Sequence, residues 1–276
     1  MKHQNGYADL HLHTHHSDGQ CSPQEVVDKC SAYGLRAIAI VDHDEISGLP
    51  EAIEYGRAKG LEVLTGVELS VSFQNLDIHV LGYGFDCTHG PLVDYIAFLK
   101  EERVKRARRI VQRLAQMGMP LTFEAVLEKA GMGSVGRPHI AHALVEAGYV
   151  NSFQEAFNRF LADGRPANIR KHKIDITAAM KLIAEAGGVC ALAHPGLQLR
   201  DEQVLQLAKV GLDAIEVVHP KHTPERVRFY RDLAESNGLL ATGGSDFHGG
   251  ARGEESLGKY TIPYEIVVQI KRLTAN

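Results

Sequence analysis

The chain has 276 residues, 44% of them hydrophobic and 23% charged, with a formal net charge of −4. That length allows one barrel or two modest domains around a substantial core, and the composition is that of an ordinary globular protein. The acidic balance argues against a general basic coat for nucleic acid and leaves room only for a local patch. The longest apolar runs, such as Ala37 to Val41 and Val189 to Ala193, fall far short of the ~20 residues a bilayer demands.

Taken in chain order, the first informative stretch is residues 9 to 19, Asp-Leu-His-Leu-His-Thr-His-His-Ser-Asp-Gly. If Ala8 to His13 is a strand, His11 and His13 share one face, because strand side chains alternate. Ser22-Pro23-Gln24-Glu25 predicts a capped helix running to Gly34. Leu35 to Val41 reads as a buried strand ending in Asp42-His43-Asp44, Leu49 to Lys59 as a helix stopped by Gly60, and Val63 to Val67 as a strand delivering Glu68. Residues 77 to 83 form another strand, with His79 inside it.

Between about residues 91 and 175 strands disappear and helical segments follow one another, with Ser152 to Glu155 a second capping box. This predicts an inserted helical subdomain, with a barrel split into residues 1–95 and 176–276 around an insertion of 96–175. Alternation resumes with a helix near Ile176 to Ala186, a strand Val189 to Ala193 ending in His194-Pro195, and a helix near 201 to 209. There follow a strand Ala214 to Val218 ending in His219, a helix from Thr223-Pro224 to Gly238, a strand Leu239 to Thr242 before Gly-Gly-Ser-Asp-Phe-His, and a last helix Tyr264 to Arg272. No internal repeat or low-complexity segment is found. Such alternation implies an α/β fold with parallel strands and crossover helices, and roughly seven strands suggest a barrel, with active-site groups at strand carboxyl ends.

Nine metal-ligand candidates lie at or within those strands: His11, His13, Asp18, His43, Glu68, His79, His194, Asp246 and His248. Burying so many polar groups is costly unless a cation pairs with them. A nitrogen and oxygen set without thiolate fits Mn, Fe or Zn better than Ca or Mg. Nine ligands exceed the needs of one or two ions, so three sites are expected, with Glu68 or a water bridging. His15 and His16 read as exposed or supporting residues, and Asp42, Asp44 and His219 as groups that orient ligands. Cys21, Cys30, Cys87 and Cys190 lack Cys-x-x-Cys spacing and read as free buried thiols of a reducing cytoplasm, and with no basic flank and apolar stretch at the N-terminus a cytoplasmic location is expected.

Asp9-Leu-His-Leu-His-Thr, Val41-Asp-His-Asp, Gly66-Val-Glu, Ala193-His-Pro and Gly244-Ser-Asp-Phe-His together resemble the motifs of the polymerase and histidinol phosphatase (PHP) superfamily. The insertion and Gly136-Arg-Pro-His-Ile-Ala are similar to bacterial proteins that remove the 3'-phosphate of nucleoside 3',5'-bisphosphates such as pAp, some of whose relatives are 5'-3' exoribonucleases on short 5'-phosphorylated RNA. The resemblance implies a distorted (β/α)7 barrel and a cluster of three divalent ions, Mn2+ before Fe2+ or Zn2+. It also implies a ligand grouping: His11, His13, Glu68 and Asp246 on one ion; Asp18, His43 and His248 on a second; Glu68, His79 and His194 on a third. Asp18, His43, Glu68 and His248 are then catalytic as well. Hydroxide held between metals would attack phosphorus in line.

The insertion holds the strongest basic run, Lys100 to Arg109. Its structural reading is a solvated helix with Glu101–Lys105 and Glu102–Arg106 pairs. Its functional reading is a phosphate grip by Arg103 and Arg106, which share a face. Arg137-Pro138 reads as a helix start that attracts an anion or as an ordinary capped helix. The resemblance makes Arg103, Arg106, Arg137, His139 and His222 substrate-binding. His142 and His172 read as surface residues. Three competing readings stand beside the bisphosphatase: exoribonuclease, histidinol-phosphatase-like phosphomonoesterase, and a non-catalytic metal-stabilised module. The expected partners are a phosphorylated nucleotide or short RNA, with neither membrane nor extended duplex.

Overall fold

The computed structural model describes residues 6–131 and 133–275. The strands and helices run in the order β1 (Tyr7–Leu12), α1 (Pro23–Ala32), β2 (Ala37–Ile40), α2 (Leu49–Lys59), β3 (Glu62–Leu64), β4 (Gly66–Phe73), β5 (Leu76–Tyr83) and α3 (Gly90–Gln116). Next come α4 (Phe123–Ala130), α5 (Arg137–Glu146), α6 (Phe153–Ala156), β6 (Ile174–Asp175), α7 (Ile176–Glu185), β7 (Val189–Leu192), α8 (Asp201–Leu207) and β8 (Ala214–Val218). The chain closes with α9 (Pro224–Asn237), β9 (Leu240–Gly243), α10 (Gly250–Ser256), β10 (Ile262–Pro263) and α11 (Tyr264–Thr274).

Local chemistry explains most boundaries. Ser22 Oγ accepts the Glu25 N–H at 3.2 Å and Glu25 accepts the Ser22 N–H at 2.7 Å, so the first box closes fully. Only half of the second forms: Ser152 accepts the Glu155 N–H at 3.1 Å, while Glu155 accepts the Asn151 N–H at 2.8 Å. Gly60 and Gly238 stop α2 and α9 at φ of 73° and 68°, left-handed values that cost glycine least.

The fold is α/β, and its strands form two sheets. One has the order β10-β1-β2-β3, with β1, β2 and β3 parallel; the other has the order β6-β4-β5-β7-β8-β9. Isolated bridges Leu12–Phe247 and His43–Glu68 link the end of β1 to the loop after β9, and the loop after β2 to β4.

Beside the short β10, which is antiparallel to β1, the structure corrects the expectation of uniformly parallel strands at β5, which is antiparallel to both β4 and β7. The cause is a two-residue turn, Gln74-Asn75, whose φ values of 50° and 64° are those of a tight hairpin. A second correction follows from the first. Glu68 does not end a strand but lies inside β4, which continues to Phe73.

The chain divides into two compact units, residues 1–94 with 173–276, and residues 95–172. The first packs Leu10, Leu81, Tyr83, Ala191, Ala214 and Val267 into its core; the second packs Leu114, Val126, Ile140, Leu144 and Leu161. Among the described residues no helix is long and apolar enough to cross a membrane. All four cysteines are free thiols, Cys30 and Cys190 buried.

Leu144 is fully buried, so Leu144→Ala should cost about 2–5 kcal/mol of stability, read as a lower urea midpoint with an unchanged slope.

Candidate metal centre

β1 alternates its side chains, but both faces are covered, as in parallel sheets generally. Leu10 enters the apolar core while Asp9 and His11 are equally buried. The polar face is tied to the loop after β9. Asp9 accepts the N–H groups of His11 at 3.1 Å and Ser245 at 3.0 Å, and His13 donates its N–H to Phe247 O at 2.9 Å. Burial pushes the Asp9 carboxyl up to about 7. The strand and loop approach so closely that a Cβ on Gly244 would lie 2.4 Å from His11 N and 2.6 Å from Asp9 Oδ1.

Glu68, on β4, stands at the middle of five imidazoles. Its Oε1 lies 2.8 Å from His79 Nδ1 and 2.9 Å from His194 Nε2, and those two nitrogens are 3.3 Å apart. Its Oε2 lies 3.3 Å from the Nε2 atoms of both His11 and His13, and 3.2 Å from His43 Nδ1. Asp246 Oδ1 lies 3.4 Å from the same two Nε2 atoms. Beyond them Asp18 faces His248 Nε2 at 3.3 Å and His43 Nε2 at 3.8 Å.

The structure thus brings all nine candidate side chains together. They form four overlapping groups whose donor atoms lie within 4.8 Å of one another: His13, Asp18, His43 and His248; His11, His13 and Asp246; His11, Glu68 and His194; His43, Glu68 and His79.

Whether cations fit can be judged from the tautomers. Glu216 lies 2.8 Å from His11 Nδ1, so that nitrogen carries the proton and the Nε2 lone pair points at the carboxylate oxygens of Glu68 and Asp246. A lone pair facing two anions is repulsive unless a cation or a proton lies between them. Nδ1 of buried His13 and Nδ1 of His194 lack hydrogen-bond partners. Buried polar atoms left in that condition are costly. The donor set, all imidazole and carboxylate, suits divalent ions.

The electrostatics point the same way. Burial alone would raise Glu68, yet His43, His79 and His11 hold its carboxyl well below the usual range. Asp246 is held low likewise, against burial, by His11 and His13, and the more exposed Asp18 is held low by His43 and His248. Burial would lower His13, but Asp246 and Glu68 hold it up at about 10, so in the absence of a metal a proton supplies the positive charge. Desolvation acts the other way on His43, pushing it down to about 3 against the pull of Glu68 and Asp18.

Supporting groups surround this set. His219 accepts the Lys221 N–H at Nδ1, so its Nε2–H donates to Asp246 Oδ2 at 3.2 Å. Asp42 accepts Thr14 N–H, Thr14 Oγ1–H and Ser17 Oγ–H at 2.8, 2.6 and 2.5 Å, fixing the turn that carries Asp18. Asp44, at φ 50°, accepts the Ser70 N–H at 2.8 Å. His15 is exposed and stacks on His16, which bonds Ser47 at 2.8 Å.

Sequence reasoning missed Glu216. Fully buried, it holds His11 Nδ1 and accepts the His194 N–H at 2.7 Å. The signal was present: a lone carboxylate inside the apolar strand Ala-Ile-Glu-Val-Val has no place without partners. His194 itself stands at φ 26° and Asp246 at φ 50°, strained backbone of the kind that concentrates at functional sites.

Of the five substrate-binding expectations, four fall in the helical unit. Arg106 donates Nε–H to Ile169 O at 2.6 Å rather than pairing with Glu102, which Lys105 takes at 2.9 Å. Burial first, then the charges of Arg137 and Arg103, lower Arg106 to about 10, so three guanidinium groups crowd one another. Arg137 bonds Leu161 O at 3.1 Å and Asp163 at 2.7 Å. His139 Nδ1 accepts the Gly136 N–H at 3.0 Å, a local helix-end role. His222 belongs to the other unit, buried, with Nδ1–H donated to Val217 O at 3.0 Å and Nε2 without a partner. His142 and His172 are exposed.

The chain is similar to known proteins over most of its length. The PHP domain family matches residues 9–215. A 5'-3' exoribonuclease of Haemophilus influenzae is 34% identical over 246 residues, covering 87% of this chain and 89% of the relative. A 3',5'-nucleoside bisphosphate phosphatase of Chromobacterium violaceum is 31% identical over 256 residues, covering 91% and 90%. A crystal structure of a metal-dependent phosphoesterase from Bifidobacterium adolescentis superposes with a TM-score of 0.85 at 32% identity, covering 96% of each chain.

Two outcomes are expected. Adding Mn2+ to chelator-stripped protein should raise the melting temperature, since ligand at 100 times its Kd stabilises by about 2.7 kcal/mol; an unchanged melting curve with every divalent ion tried would count against the centre. Gly244→Ala should lower metal stoichiometry in atomic absorption, because the added methyl displaces His11.

Proposed function

The chain belongs to the PHP domain family and is a metal-dependent phosphoesterase; from that premise we propose that it hydrolyses the 3'-phosphate of nucleoside 3',5'-bisphosphates on a distorted barrel. The observation that carries the reading is the placement of Glu68, whose two oxygens serve different imidazole groups, as a bridging ligand would. His11, His13, Glu68 and Asp246 would hold one ion, Asp18, His43 and His248 a second, and Glu68, His79 and His194 a third. When bound, such ions lower the pKa of water and offset charge on the transferring phosphoryl group.

The chain's own residues have other tasks. Glu216 and His219 keep His11 and Asp246 in fixed orientation, as carboxylates and carbonyls do around ligands generally. Arg103, Arg106 and Arg137 would grip the 5'-phosphate, using binding energy remote from the reacting bond to position it. His222, with an unpartnered Nε2, would contact substrate. The two isolated bridges between the sheets are what supports the barrel. A second reading, 5'-3' exoribonuclease activity on short 5'-phosphorylated RNA, is favoured by the Haemophilus relative and by the basic face of α3.

The test is a phosphate-release screen with Mn2+ against nucleoside 3',5'-bisphosphates, monophosphates, histidinol phosphate and 5'-phosphorylated oligoribonucleotides. Release of the 3'-phosphate from bisphosphates is expected, and reaction with histidinol phosphate alone would overturn the reading. Glu68→Gln should abolish turnover and lower metal content; full activity with normal loading would remove Glu68 from the bridging role.

A further inference from the structure

From Arg103 to Gln116, α3 carries six cationic residues and no acidic one, in a chain whose net charge is −4. Three of these cations have neutral partners. Arg106 and Arg113 donate to the carbonyls of Ile169 and Asn168 at 2.6 and 2.7 Å, and Arg108 lies 4.0 Å above the Phe123 ring. A carbonyl or a ring accepts the hydrogen bond or the cation without cancelling its charge. Glu102, whose carboxyl feels Arg109, is engaged by Lys105.

Arg109, Gln112, Arg113 and Gln116 are spaced i, i+3, i+4 and i+7, so they form one helix face. With Ile169 they line an open cleft of about 260 Å³. All four helical side chains are exposed and offer N–H donors, and the lining contains no carboxylate. The volume lies just below that of ordinary small-molecule pockets, ~300 Å³ and up, and the apolar content is one isoleucine. An anionic group fits that chemistry better than a whole cofactor. At ~1.5 Å rise per residue, Arg113 lies ~10 Å along the axis from Arg106, too far for one phosphate to touch both.

We infer that this cleft is a second phosphate site, which takes a backbone phosphodiester of single-stranded nucleic acid beyond the 5'-terminal phosphate. The inference rests on the nucleotide substrate proposed above, extending it from mononucleotides to strands. Binding here is electrostatic and indifferent to sequence, as backbone contacts are.

The experiment measures fluorescence anisotropy of the metal-loaded protein with a labelled, 5'-phosphorylated 2'-O-methyl phosphorothioate dodecamer, which resists hydrolysis. It is run beside a dimer of the same chemistry and beside turnover of adenosine 3',5'-bisphosphate. Arg109→Gln should weaken dodecamer binding about 5–10-fold, flatten the salt dependence by ~0.7 in log–log slope for each phosphate no longer neutralised, and leave the dimer and bisphosphate turnover unchanged. Arg109→Lys should restore most of the affinity. Equal dodecamer affinity and salt slope in Arg109→Gln and wild type would overturn the inference, as would a parallel fall in bisphosphate turnover. If no nucleotide is hydrolysed while Arg109→Gln still weakens dodecamer binding, the activity reading falls and the second site stands.

Discussion

One buried carboxylate organises the larger unit. Glu68, 1% exposed, faces His11, His13, His43, His79 and His194 from the interior of β4. A charge in that position is tolerated only if several strands converge on it with compensating groups, because its desolvation exceeds what any single partner returns. The arrangement therefore constrains topology. β1, β2, β5 and β7 must end, or pass, within reach of one point, and the His43–Glu68 bridge and the closeness of Gly244 to His11 follow from the same requirement.

Around that point the polar groups are graded by function. His13 and His194 each keep an Nδ1 without a hydrogen-bond partner, while three carboxylates beneath them are fully engaged: Glu216 holds His11 and the His194 backbone, Asp42 holds Thr14 and Ser17, and Asp44 holds Ser70. Rigid support beneath unsatisfied donors is the pattern of a site pre-organised for a ligand. A core that merely tolerated histidines would have paired them. The helical unit contrasts with this. There Arg106, Arg108 and Arg113 are held by carbonyls and a ring, which fix their direction but leave the charge available to solvent-borne anions.

Much of this was legible in the sequence because the signals were local. Ser22 with Glu25, Gly60 and Gly238 marked helix ends by short-range hydrogen bonds or by left-handed backbone, and the histidine motifs marked the ends of apolar runs. What escaped was set by tertiary contacts. Gln74-Asn75 is a weaker hairpin signal than Asn-Gly, so the reversal into β5 was hidden. Arg106 has Glu102 four residues away as a plausible partner, yet it turns to Ile169, sixty-three positions distant. Glu216 carries no motif at all; its role exists only because β8 lies beside β7 and within reach of His11.

The β4–β5 hairpin brings Glu68 and His79 together by a two-residue turn, eleven positions apart in the chain. The remaining partners arrive from far away: His194 is 126 positions from Glu68, and Glu216 is 205 from His11. Contacts of the first kind form early and cheaply, whereas those of the second must wait until long loops have closed. One corner of the centre can thus exist on a nascent or partly folded chain, but the complete donor set exists only when both ends of the sequence have docked. Occupancy of the centre becomes a report on finished folding, a checkpoint written into the order in which the ligands are synthesised.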